Sequence, residues 1–458
     1  MEHKKLKKQY FGTNGVRGVT GIDMTPKLAL EIAEAFGTMI GPKKTIGLGR
    51  DTRTSGQALS ATVEAGLITC GCNVINFGIV PTPCLQYLVL NRHLDGGVMI
   101  TASHNPPEYN GIKIIDADGT EMSDERIIQL EQIMIQNKFI TASWNKLGIA
   151  TFDQEARNLY INAIVSQFPP NCGHNLTVVV DPGNGPSSAT TPEILRRLGA
   201  NVYIINGLFD GTFPGRLPEP TAEGLTHLST KVIETHAAFG VAHDGDADRA
   251  VFVDEQGQFI DGNIAFGLIT SYFCRKQPGG IVVTPISTSK IVETIATSYG
   301  CSTKYTAVGS IYTARTMHKL LKEGKPVIIG GEGNGGIIYP THQLCRDGGM
   351  SAAIMLNLVA KQTFPLSALI NELPSFTMYQ EKFKTNRTEK ITGHMKDYFK
   401  DYPIDTCDGI RISHNDAWAL IRPSGTEPLI RIYTESKNPL KAKELMNEIL
   451  EEIARYSE

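Results

Sequence analysis

Apolar strand patterns and amphipathic helical patterns alternate along the chain, and the same strand–helix–strand order occurs three times. Each helical stretch ends in a glycine and a small residue, which is typical of a helix that stops before a strand. Because strands alternate with helices, we expect mostly parallel sheets. The three copies, with approximate helix limits, are 45–49, 57–70 and 73–75; 177–180, 187–198 and 201–204; and 281–283, 288–299 and 303–305.

Each copy continues with a second apolar strand that leads into a polar loop. These strands are 97–100, 239–242 and 327–329. In open α/β sheets, ligands bind beyond the ends of the strands. The pattern therefore predicts three similar mixed α/β domains with mostly parallel sheets, each of which offers one loop to a central cleft.

The last part of the chain has a different pattern. Strand patterns near 410–412, 418–421 and 429–433 precede a helix with Asn438 as its cap and Pro439 in its first turn. This order predicts a smaller C-terminal α+β domain. The expected fold is thus an α/β protein of four domains around one cleft. The predicted domains are 1–155, 156–256, 257–372 and 373–458.

Composition and charge narrow the classes of function. With 458 residues, 41% hydrophobic and 20% charged, the chain can build full cores, and its net charge of −3 argues against nucleic acid or an anionic membrane as partner. The basic start lacks a following apolar run, so we expect neither a signal peptide nor an anchor. No apolar run reaches the ~18 residues of a spanning helix. Eight cysteines without a C-x-x-C pair predict reduced thiols in a cytoplasmic protein rather than a zinc site.

The loop after strand 97–100 has the sequence Thr-Ala-Ser-His-Asn-Pro, and one hydroxyl, that of Ser103, lies at its centre. Pro106 and Pro107 restrict the backbone of this loop and prevent a helix there. Taken alone, a turn with a capping hydroxyl is the better interpretation. A Ser-His-Asp hydrolase fits poorly, because His104 is adjacent in sequence to the hydroxyl that it should deprotonate, and no Gly-x-Ser-x-Gly elbow occurs. The remaining loops favour a hydroxyl that carries a phosphoryl group.

Asp244, Asp246 and Asp248 place three carboxylates within five residues, which is costly unless a cation neutralises them. Carboxylate oxygens suit Mg²⁺ or Ca²⁺ rather than zinc. An EF-hand is excluded because Arg249 occupies its sixth position, which needs glycine. A phosphatase of the haloacid-dehalogenase type fits poorly, because its pattern has threonine or valine at position 248. We therefore expect one divalent cation here, with Arg249 beside it for a phosphate.

The loop 331–336 formally matches Gly-x-Gly-x-x-Gly, but the residues after it cannot open a helix, as a dinucleotide site requires. Glu332 and Asn334 instead suit adjacent sugar hydroxyls, because a carboxylate accepts hydrogen bonds and an amide both donates and accepts them. A plain glycine-rich turn is the alternative.

The last domain has the sequence Arg-Pro-Ser-Gly-Thr between two strands. Hydroxyls, loop amides and guanidinium groups together favour a phosphate dianion, while a simple turn is equally compatible with this segment alone. A glycine-spaced loop over 11–18 exposes Arg17, a further cation for the Ser103 site. The residues expected to hold the phosphate are Arg422, Ser424, Gly425, Thr426 and Arg431.

Together these loops resemble those of the α-D-phosphohexomutase family across essentially the whole chain. The serine, aspartate and C-terminal phosphate motifs occur in the family's order, whereas the sugar motif Gly-Glu-x-Ser-Gly-His is matched only in part, with Asn334 and Gly336 at its serine and histidine. The resemblance implies an isomerase in which phosphorylated Ser103 and the three aspartates hold one Mg²⁺. It also implies hexose 1,6-bisphosphate as intermediate and activator. The further catalytic residues implied are Arg17, His104, Lys113 and Arg249.

Lys113 is the candidate for proton transfer, because neighbouring cations are expected to lower its pKa. The last domain is expected to close over the cleft and exclude water from the reaction.

The segment 11–18 is similar to the opening of the phosphoglucosamine mutase branch, although Asn14 stands where that branch has aspartate. The segment 307–310, which ends at Ser310, is also similar to that branch, so Ser310 joins the substrate-binding residues. Glucosamine phosphate is the expected substrate, and a broad phosphomannomutase/phosphoglucomutase is the alternative, because the sugar loop departs from its pattern. A sugar-phosphate binding protein is the non-enzyme alternative. The expected partner is a small sugar phosphate, without nucleic acid or membrane, for a monomer or homodimer.

Overall fold

The computed structural model describes residues 8–12, 15–424 and 428–457 of the chain. The chain forms two compact units. The first comprises Met1–Asp261 and Gly335–Ala368, and the second comprises Gly262–Asn334 and Leu369–Glu458.

The strands are, in chain order, β1 Val16–Val19, β2 Thr45–Arg50, β3 Asn73–Ile79, β4 Gly96–Ile100, β5 Tyr109–Asp116, β6 Ala150–Phe152, β7 Thr177–Asp181, β8 Asn201–Ile204, β9 Phe239–His243, β10 Ala250–Asp254, β11 Phe259–Ile260, β12 Ile281–Pro285, β13 Ser302–Thr306, β14 Val327–Gly331, β15 Ile337–Ile338, β16 Thr377–Lys384, β17 Ile404–Asp405, β18 Ile410–His414, β19 Ala417–Pro423 and β20 Leu429–Ser436.

The α-helices are α1 Pro26–Ile40, α2 Gly56–Thr69, α3 Thr82–Asn91, α4 Asp124–Ile135, α5 Ala156–Val165, α6 Thr191–Arg197, α7 Thr226–Glu234, α8 Gly262–Lys276, α9 Lys290–Ser298, α10 Ser310–Lys322, α11 Gly348–Val359, α12 Leu366–Asn371, α13 Thr388–Tyr398 and α14 Pro439–Ser457. Short 3₁₀ helices lie at Pro186–Ala189 and Glu223–Leu225.

The first sheet of the first unit has the order β1-β5-β4-β2-β3-β6, with β5 and β1 antiparallel to their neighbours and the other strands parallel. Strand β4 is buried along its whole length, as expected for a strand covered on both faces. Its register places Lys113 of β5 opposite Met99, and β1 places Arg17 opposite Gly111. The antiparallel strands therefore bring two cations to the end of β4 where the Ser103 loop begins.

The second sheet of the same unit has the order β11-β10-β9-β7-β8. Strand β7 is parallel to β8 and β9, whereas β10 returns antiparallel to β9, with His243 opposite Ala250. The segment 244–249 is thus the turn of a tight hairpin whose two strands are buried throughout.

The second unit contains parallel strands in the order β13-β12-β14 and an antiparallel sheet in the order β16-β20-β19-β18-β17. Helix α14 buries Leu445, Ile449 and Ile453 against that sheet. The predicted fold class, with mostly parallel sheets in three α/β domains and a different C-terminal domain, is confirmed. The predicted helix stops are also confirmed, since Gly71, Gly199 and Gly300 have φ of +84°, +95° and +69°.

Two local predictions were wrong. The helix expected over 187–198 is divided into a 3₁₀ turn and α6, because Pro192 has no N–H to donate and is accommodated only in the first turn of a helix. The segment 11–18 is not a loop throughout, because Val16–Val19 pairs with β5. Among the described residues, no helix is both long enough and apolar enough to span a bilayer.

Replacing Ile449 by alanine removes a side chain with no solvent exposure from the C-terminal core. We expect this change to lower the free energy of unfolding of that domain by about 2–5 kcal/mol, through lost burial and a residual cavity. Trp418 is buried in the same domain, so its fluorescence in a Trp144→Phe background reports unfolding in urea. Leu440→Ala is the matched control, because Leu440 lies on the same helix but is 68% exposed and its truncation should change stability by about 0.5 kcal/mol or less. Equal losses of unfolding free energy in the two variants would contradict the packing of Ile449 in this core.

Candidate active site

Ser103 follows β4 in a sharply bent loop of the first unit. Its φ of +51° is a left-handed conformation that non-glycine residues rarely adopt, and its backbone N–H donates to Thr101 Oγ1 at 2.8 Å. Its side chain is buried, and the hydroxyl donates to Asp244 Oδ2 at 2.8 Å. Backbone strain of this kind concentrates at functional sites. The loop therefore holds the hydroxyl against an aspartate from the second α/β domain.

The three aspartates lie in the hairpin turn between β9 and β10, and all are buried. One carboxylate oxygen of each lies within 4.8 Å of the others. Ala247 turns the backbone between them with a φ of +58°. Like charges brought together away from water are unfavourable unless opposite charges lie beside them.

One oxygen of each aspartate already accepts hydrogen bonds from neighbouring side chains. Asp246 Oδ1 and Asp248 Oδ1, by contrast, are buried and accept no hydrogen bond from the described residues. Hard oxygen acceptors of this kind are the ligands of Mg²⁺ and Ca²⁺, so the donor set fits a divalent cation. The occupied acceptors are Asp244 Oδ2 with Arg249 Nε at 3.2 Å, Asp246 Oδ2 with Lys113 Nζ at 2.7 Å and Thr82 Oγ1 at 2.6 Å, and Asp248 Oδ2 with Arg346 Nη2 at 2.5 Å.

The pKa values of Asp244 and Asp246 shift in opposite directions because the neighbours of the two side chains differ. Burial raises the pKa of Asp244 to about 7, with Arg249 opposing the rise and the other two carboxylates adding to it. Burial also acts to raise the pKa of Asp246, but the ammonium of Lys113 outweighs it and holds that pKa below its usual value. A cation among the three carboxylates would oppose the rise at Asp244.

Lys113 is almost completely buried, and its Nζ lies 2.7 Å from Asp246 and 3.4 Å from Asp248. Burial acts to lower the pKa of Lys113, but the carboxylates of Asp246, Asp248 and Glu121 together outweigh it and raise that pKa above its usual value, with Arg17 opposing them. The expectation that neighbouring cations lower this pKa was therefore wrong. The side chain is a fixed positive charge in this arrangement.

Arg17, His104 and Arg249 each contact the Ser103 loop or the aspartate turn. Arg17 Nη1 donates to Asn105 Oδ1 at 3.0 Å, and His104 Nδ1 lies 3.4 Å from Ser103 Oγ. Burial, followed by the charge of Arg249, lowers the pKa of His104 to about 4, so its imidazole is neutral at pH 7. The structure thus assembles the predicted serine, aspartate and basic residues of the first unit.

Sequence reasoning missed four residues that shape this arrangement. Glu219 pairs with both terminal nitrogens of Arg249, at 3.0 and 3.1 Å. Thr82 and Arg346 carry no motif and reach the aspartates only because the fold brings distant segments together. Arg53 follows β2 in the sequence Asp-Thr-Arg, and this polar loop at a strand end was the one signal that the sequence offered.

The second unit places Glu332 and Asn334 side by side. Asn334 Nδ2 donates to Glu332 Oε2 at 3.3 Å, and Glu332 is buried. Ser310 begins α10, and its buried hydroxyl has no hydrogen-bond partner among the described residues. These side chains offer a carboxylate, an amide and a hydroxyl as hydrogen-bonding groups.

Arg422 and Arg431 are direct cross-strand partners on β19 and β20. Like charges opposite each other destabilise a sheet unless opposite charges lie beside them. Asp408 partly offsets this charge, since it accepts from Arg422 Nε at 3.1 Å. The Ser424 N–H donates to a neighbouring strand carbonyl, whereas Gly425 and Thr426 lie outside the described residues.

Family models match the chain in four consecutive segments. They are described as the α/β/α domains I, II and III and the C-terminal domain of phosphoglucomutase/phosphomannomutase, and they match residues 8–141, 158–257, 261–376 and 379–452.

Curated relatives match over almost the full chain. A phosphoglucomutase/phosphomannomutase of Thermococcus kodakarensis is 41% identical over 95% of this chain and 96% of its own length. A probable phosphoglucosamine mutase of Methanopyrus kandleri is 40% identical over 98% of this chain and 99% of its own. The crystal structure of a phosphoglucomutase/phosphomannomutase family protein from Burkholderia thailandensis has a TM-score of 0.87 at 25% identity and covers 97% of both chains.

We expect Mg²⁺ to raise the melting temperature of the protein, because a cation held only by the folded aspartates stabilises the folded state. Asp248→Asn removes one carboxylate and should abolish most of this rise. The measurement is thermal unfolding of chelator-treated protein with and without added Mg²⁺. Asp416→Asn is the control, since that side chain is 76% exposed and belongs to the C-terminal domain. An unchanged Mg²⁺-dependent rise in the Asp248 variant would contradict a cation site on these aspartates.

Proposed function

Because the chain belongs to the phosphoglucomutase/phosphomannomutase family, we propose that it interconverts glucosamine 6-phosphate and glucosamine 1-phosphate through a phosphoserine at Ser103. The protein is a phosphohexomutase, an isomerase, as the matches over its whole length show. The substrate, the carrier residue and the metal are the proposed parts.

The contact between Ser103 Oγ and Asp244 Oδ2 is the observation that carries this proposal. It joins a strained, buried hydroxyl to a cluster of carboxylates that fits a divalent cation. A hydroxyl in this position can receive a phosphoryl group beside a counter-charge. A serine that only capped a turn would have no need of the neighbouring carboxylates.

We propose that Asp244, Asp246, Asp248 and the phosphorylated Ser103 hold one Mg²⁺. When bound, Mg²⁺ neutralises the charge of the transferring group. The side chains Arg17, Lys113 and Arg249 supply further positive charge at the same place. Because Lys113 is held as an ammonium by two carboxylates, we propose charge stabilisation as its main role.

The proposed reaction is two transfers in opposite directions. The bond between phosphorus and Ser103 Oγ breaks while phosphorus bonds to the oxygen of the free hydroxyl of the sugar phosphate, and the proton of that hydroxyl goes to Ser103 Oγ. The product is a 1,6-bisphosphate. The bisphosphate then turns over, and its other phosphoryl group returns to Ser103 Oγ. No net phosphate is consumed. Hexose 1,6-bisphosphate is the intermediate, and it also activates unphosphorylated protein because it can transfer a phosphoryl group to Ser103.

The second unit supplies the proposed substrate contacts. Glu332, Asn334 and Ser310 would bind sugar hydroxyls. The non-reacting phosphate would lie at the paired arginines of β19 and β20, whose charge favours an anion. The residues proposed for that phosphate are Arg422, Ser424, Gly425, Thr426 and Arg431.

Glucosamine phosphate is favoured by the segments 11–18 and 307–310 and by the name of the Methanopyrus kandleri relative. The name of the Thermococcus kodakarensis relative favours the alternative, a phosphoglucomutase/phosphomannomutase of broad specificity. The sugar loop departs from the family pattern at Asn334 and Gly336, which is the reason for keeping the broad alternative.

Incubation with hexose 1,6-bisphosphate and Mg²⁺ should add one phosphoryl group to the protein, visible in its intact mass. Ser103→Ala should remain unphosphorylated and should lose isomerase turnover by roughly 1,000-fold or more, because it lacks the covalent carrier. Ser166→Ala is the control, since Ser166 is an exposed serine that bonds to its own helix. Parental turnover in the Ser103 variant would contradict the proposal, and net release of inorganic phosphate would indicate a phosphatase.

Phosphorus NMR can identify the substrate if glucosamine, glucose and mannose 1-phosphates are supplied in separate reactions with Mg²⁺ and a trace of the matching 1,6-bisphosphate. We expect the 6-phosphate to appear fastest from glucosamine 1-phosphate. Equal rates from all three sugars would establish the broad alternative. Conversion of glucose and mannose phosphates without conversion of the glucosamine phosphate would contradict the proposed substrate.

A further inference from the structure

Arg53 is completely buried directly after β2, and its guanidinium is surrounded by acceptors from the Ser103 loop. Its Nε donates to Asp51 Oδ2 at 3.1 Å, and its terminal nitrogens donate to four backbone carbonyls of that loop. A buried carbonyl without a donor is costly, and this one side chain supplies donors to four carbonyls of the segment 103–109. The four carbonyls are those of Ser103, Asn105, Pro106 and Tyr109, at 2.8, 2.6, 2.5 and 2.9 Å.

Both backbone groups of Ser103 are connected to one carboxylate, that of Asp51. Asp51 Oδ2 accepts from Thr101 Oγ1 at 2.6 Å, and this hydroxyl in turn accepts from the Ser103 N–H. The Ser103 carbonyl accepts from Arg53, which is paired with the same carboxylate. These bonds hold Ser103 in its left-handed conformation and therefore fix the direction in which its hydroxyl points.

The second α/β domain repeats this arrangement at the equivalent place. Asp181 ends β7, which pairs with β9 as β2 pairs with β4. Arg216 is buried, donates from Nε to Asp181 Oδ2 at 2.8 Å and donates from Nη2 to the His243 carbonyl at 2.6 Å. The His243 carbonyl directly precedes Asp244. An arginine–aspartate pair thus holds the backbone at the start of the Ser103 loop and another does so at the start of the aspartate turn.

The third α/β domain has a neutral arrangement instead. Thr284 lies on β12, the strand equivalent to β2 and β7, and its hydroxyl donates to the Gly331 carbonyl at 2.9 Å. The loop that begins there carries Glu332 and Asn334. Buried arginine–aspartate pairs therefore occur in the two domains whose loops bear Ser103 and the aspartates, and not at the equivalent strand of the third.

We infer that Arg53 and Arg216 are positioning residues for phosphoryl transfer: Arg53 sets the Ser103 hydroxyl, and Arg216 sets the aspartate loop. This inference rests on the proposed function. A displacement of about 1 Å between reacting groups costs roughly 100-fold in rate, so backbone bonds that prevent it act on the transfer itself. The two residues affect different quantities. Arg53 holds the phosphoryl carrier and so affects the rate of transfer, whereas Arg216 holds the cation ligands and so affects the affinity for Mg²⁺.

Lysine substitutions test this division because they keep the charge beside the aspartate but lose the five-donor fork of arginine. The first measurement is the single-turnover rate of Ser103 phosphorylation from hexose 1,6-bisphosphate at saturating Mg²⁺. In that step a sugar O–P bond breaks, the Ser103 Oγ–P bond forms, and the serine proton goes to the sugar oxygen. The second measurement is the affinity for Mg²⁺ by calorimetry.

Arg53→Lys should slow phosphorylation by roughly 100-fold while Mg²⁺ affinity stays close to that of the parent. Arg216→Lys should weaken Mg²⁺ binding by roughly 10-fold or more, as loss of outer support for metal ligands does, with a much smaller loss of rate at saturating Mg²⁺. Arg197→Lys is the matched control, because Arg197 is a partly exposed arginine that pairs with Glu193 on its own helix. A purely structural role would lower both quantities together in both variants.

Thr101→Val provides a second test that leaves the buried charges in place, should the lysine variant of Arg53 fail to fold. It removes the link between Asp51 and the Ser103 N–H, so it should slow phosphorylation without weakening Mg²⁺ binding. If the parent protein itself acquires no phosphate, the proposed function fails. If the parent is phosphorylated and all these variants match Arg197→Lys in both measurements, the inference about Arg53 and Arg216 fails alone.

Discussion

Three carboxylates lie within 4.8 Å of one another in a buried hairpin turn, and the neighbouring side chains supply positive charge beside them. Lysine and arginine side chains approach the cluster, while Asp246 Oδ1 and Asp248 Oδ1 keep acceptors that no described residue uses. Such a cluster is favourable only with positive charge beside it. The hydroxyl of Ser103 points into this field at 2.8 Å from Asp244 Oδ2, where a phosphoryl group would find counter-charge from several sides.

The fold brings these groups together from two sheets, because β4 ends at the Ser103 loop and β9 ends at the aspartate turn. Strand β4 carries the Ser103 loop, and the antiparallel neighbours β5 and β1 bring Lys113 and Arg17 beside it. Buried arginine–aspartate pairs fix the backbone where the Ser103 loop and the aspartate turn begin. Rigid strands thus set the position of the chemistry, and buried ion pairs set the direction in which the reactive side chains point.

Local patterns in the sequence were sufficient for the helix stops, for the strands before the polar loops and for the placement of the Ser103 loop and the aspartate turn after such strands, because each is encoded within a few consecutive residues. Thr82 and Arg346 were not predictable, since only tertiary packing brings them to the aspartates. The raised pKa of Lys113 was missed for the same reason: the sequence shows that cations occur in the chain, but not that two carboxylates lie closer to this ammonium. The roles of the site residues, including Gly425 and Thr426, stay predictions.

The most direct measurement follows one labelled phosphoryl group through a single turnover. Protein that carries radioactive phosphate on Ser103 is mixed with one equivalent of unlabelled glucosamine 1-phosphate and Mg²⁺, and protein and sugar are separated after quenching. If Ser103 is the carrier, the label appears in glucosamine 6-phosphate, and unlabelled phosphate from the substrate replaces it on the protein. Product formation with the label still on Ser103, or released as inorganic phosphate, would contradict the account.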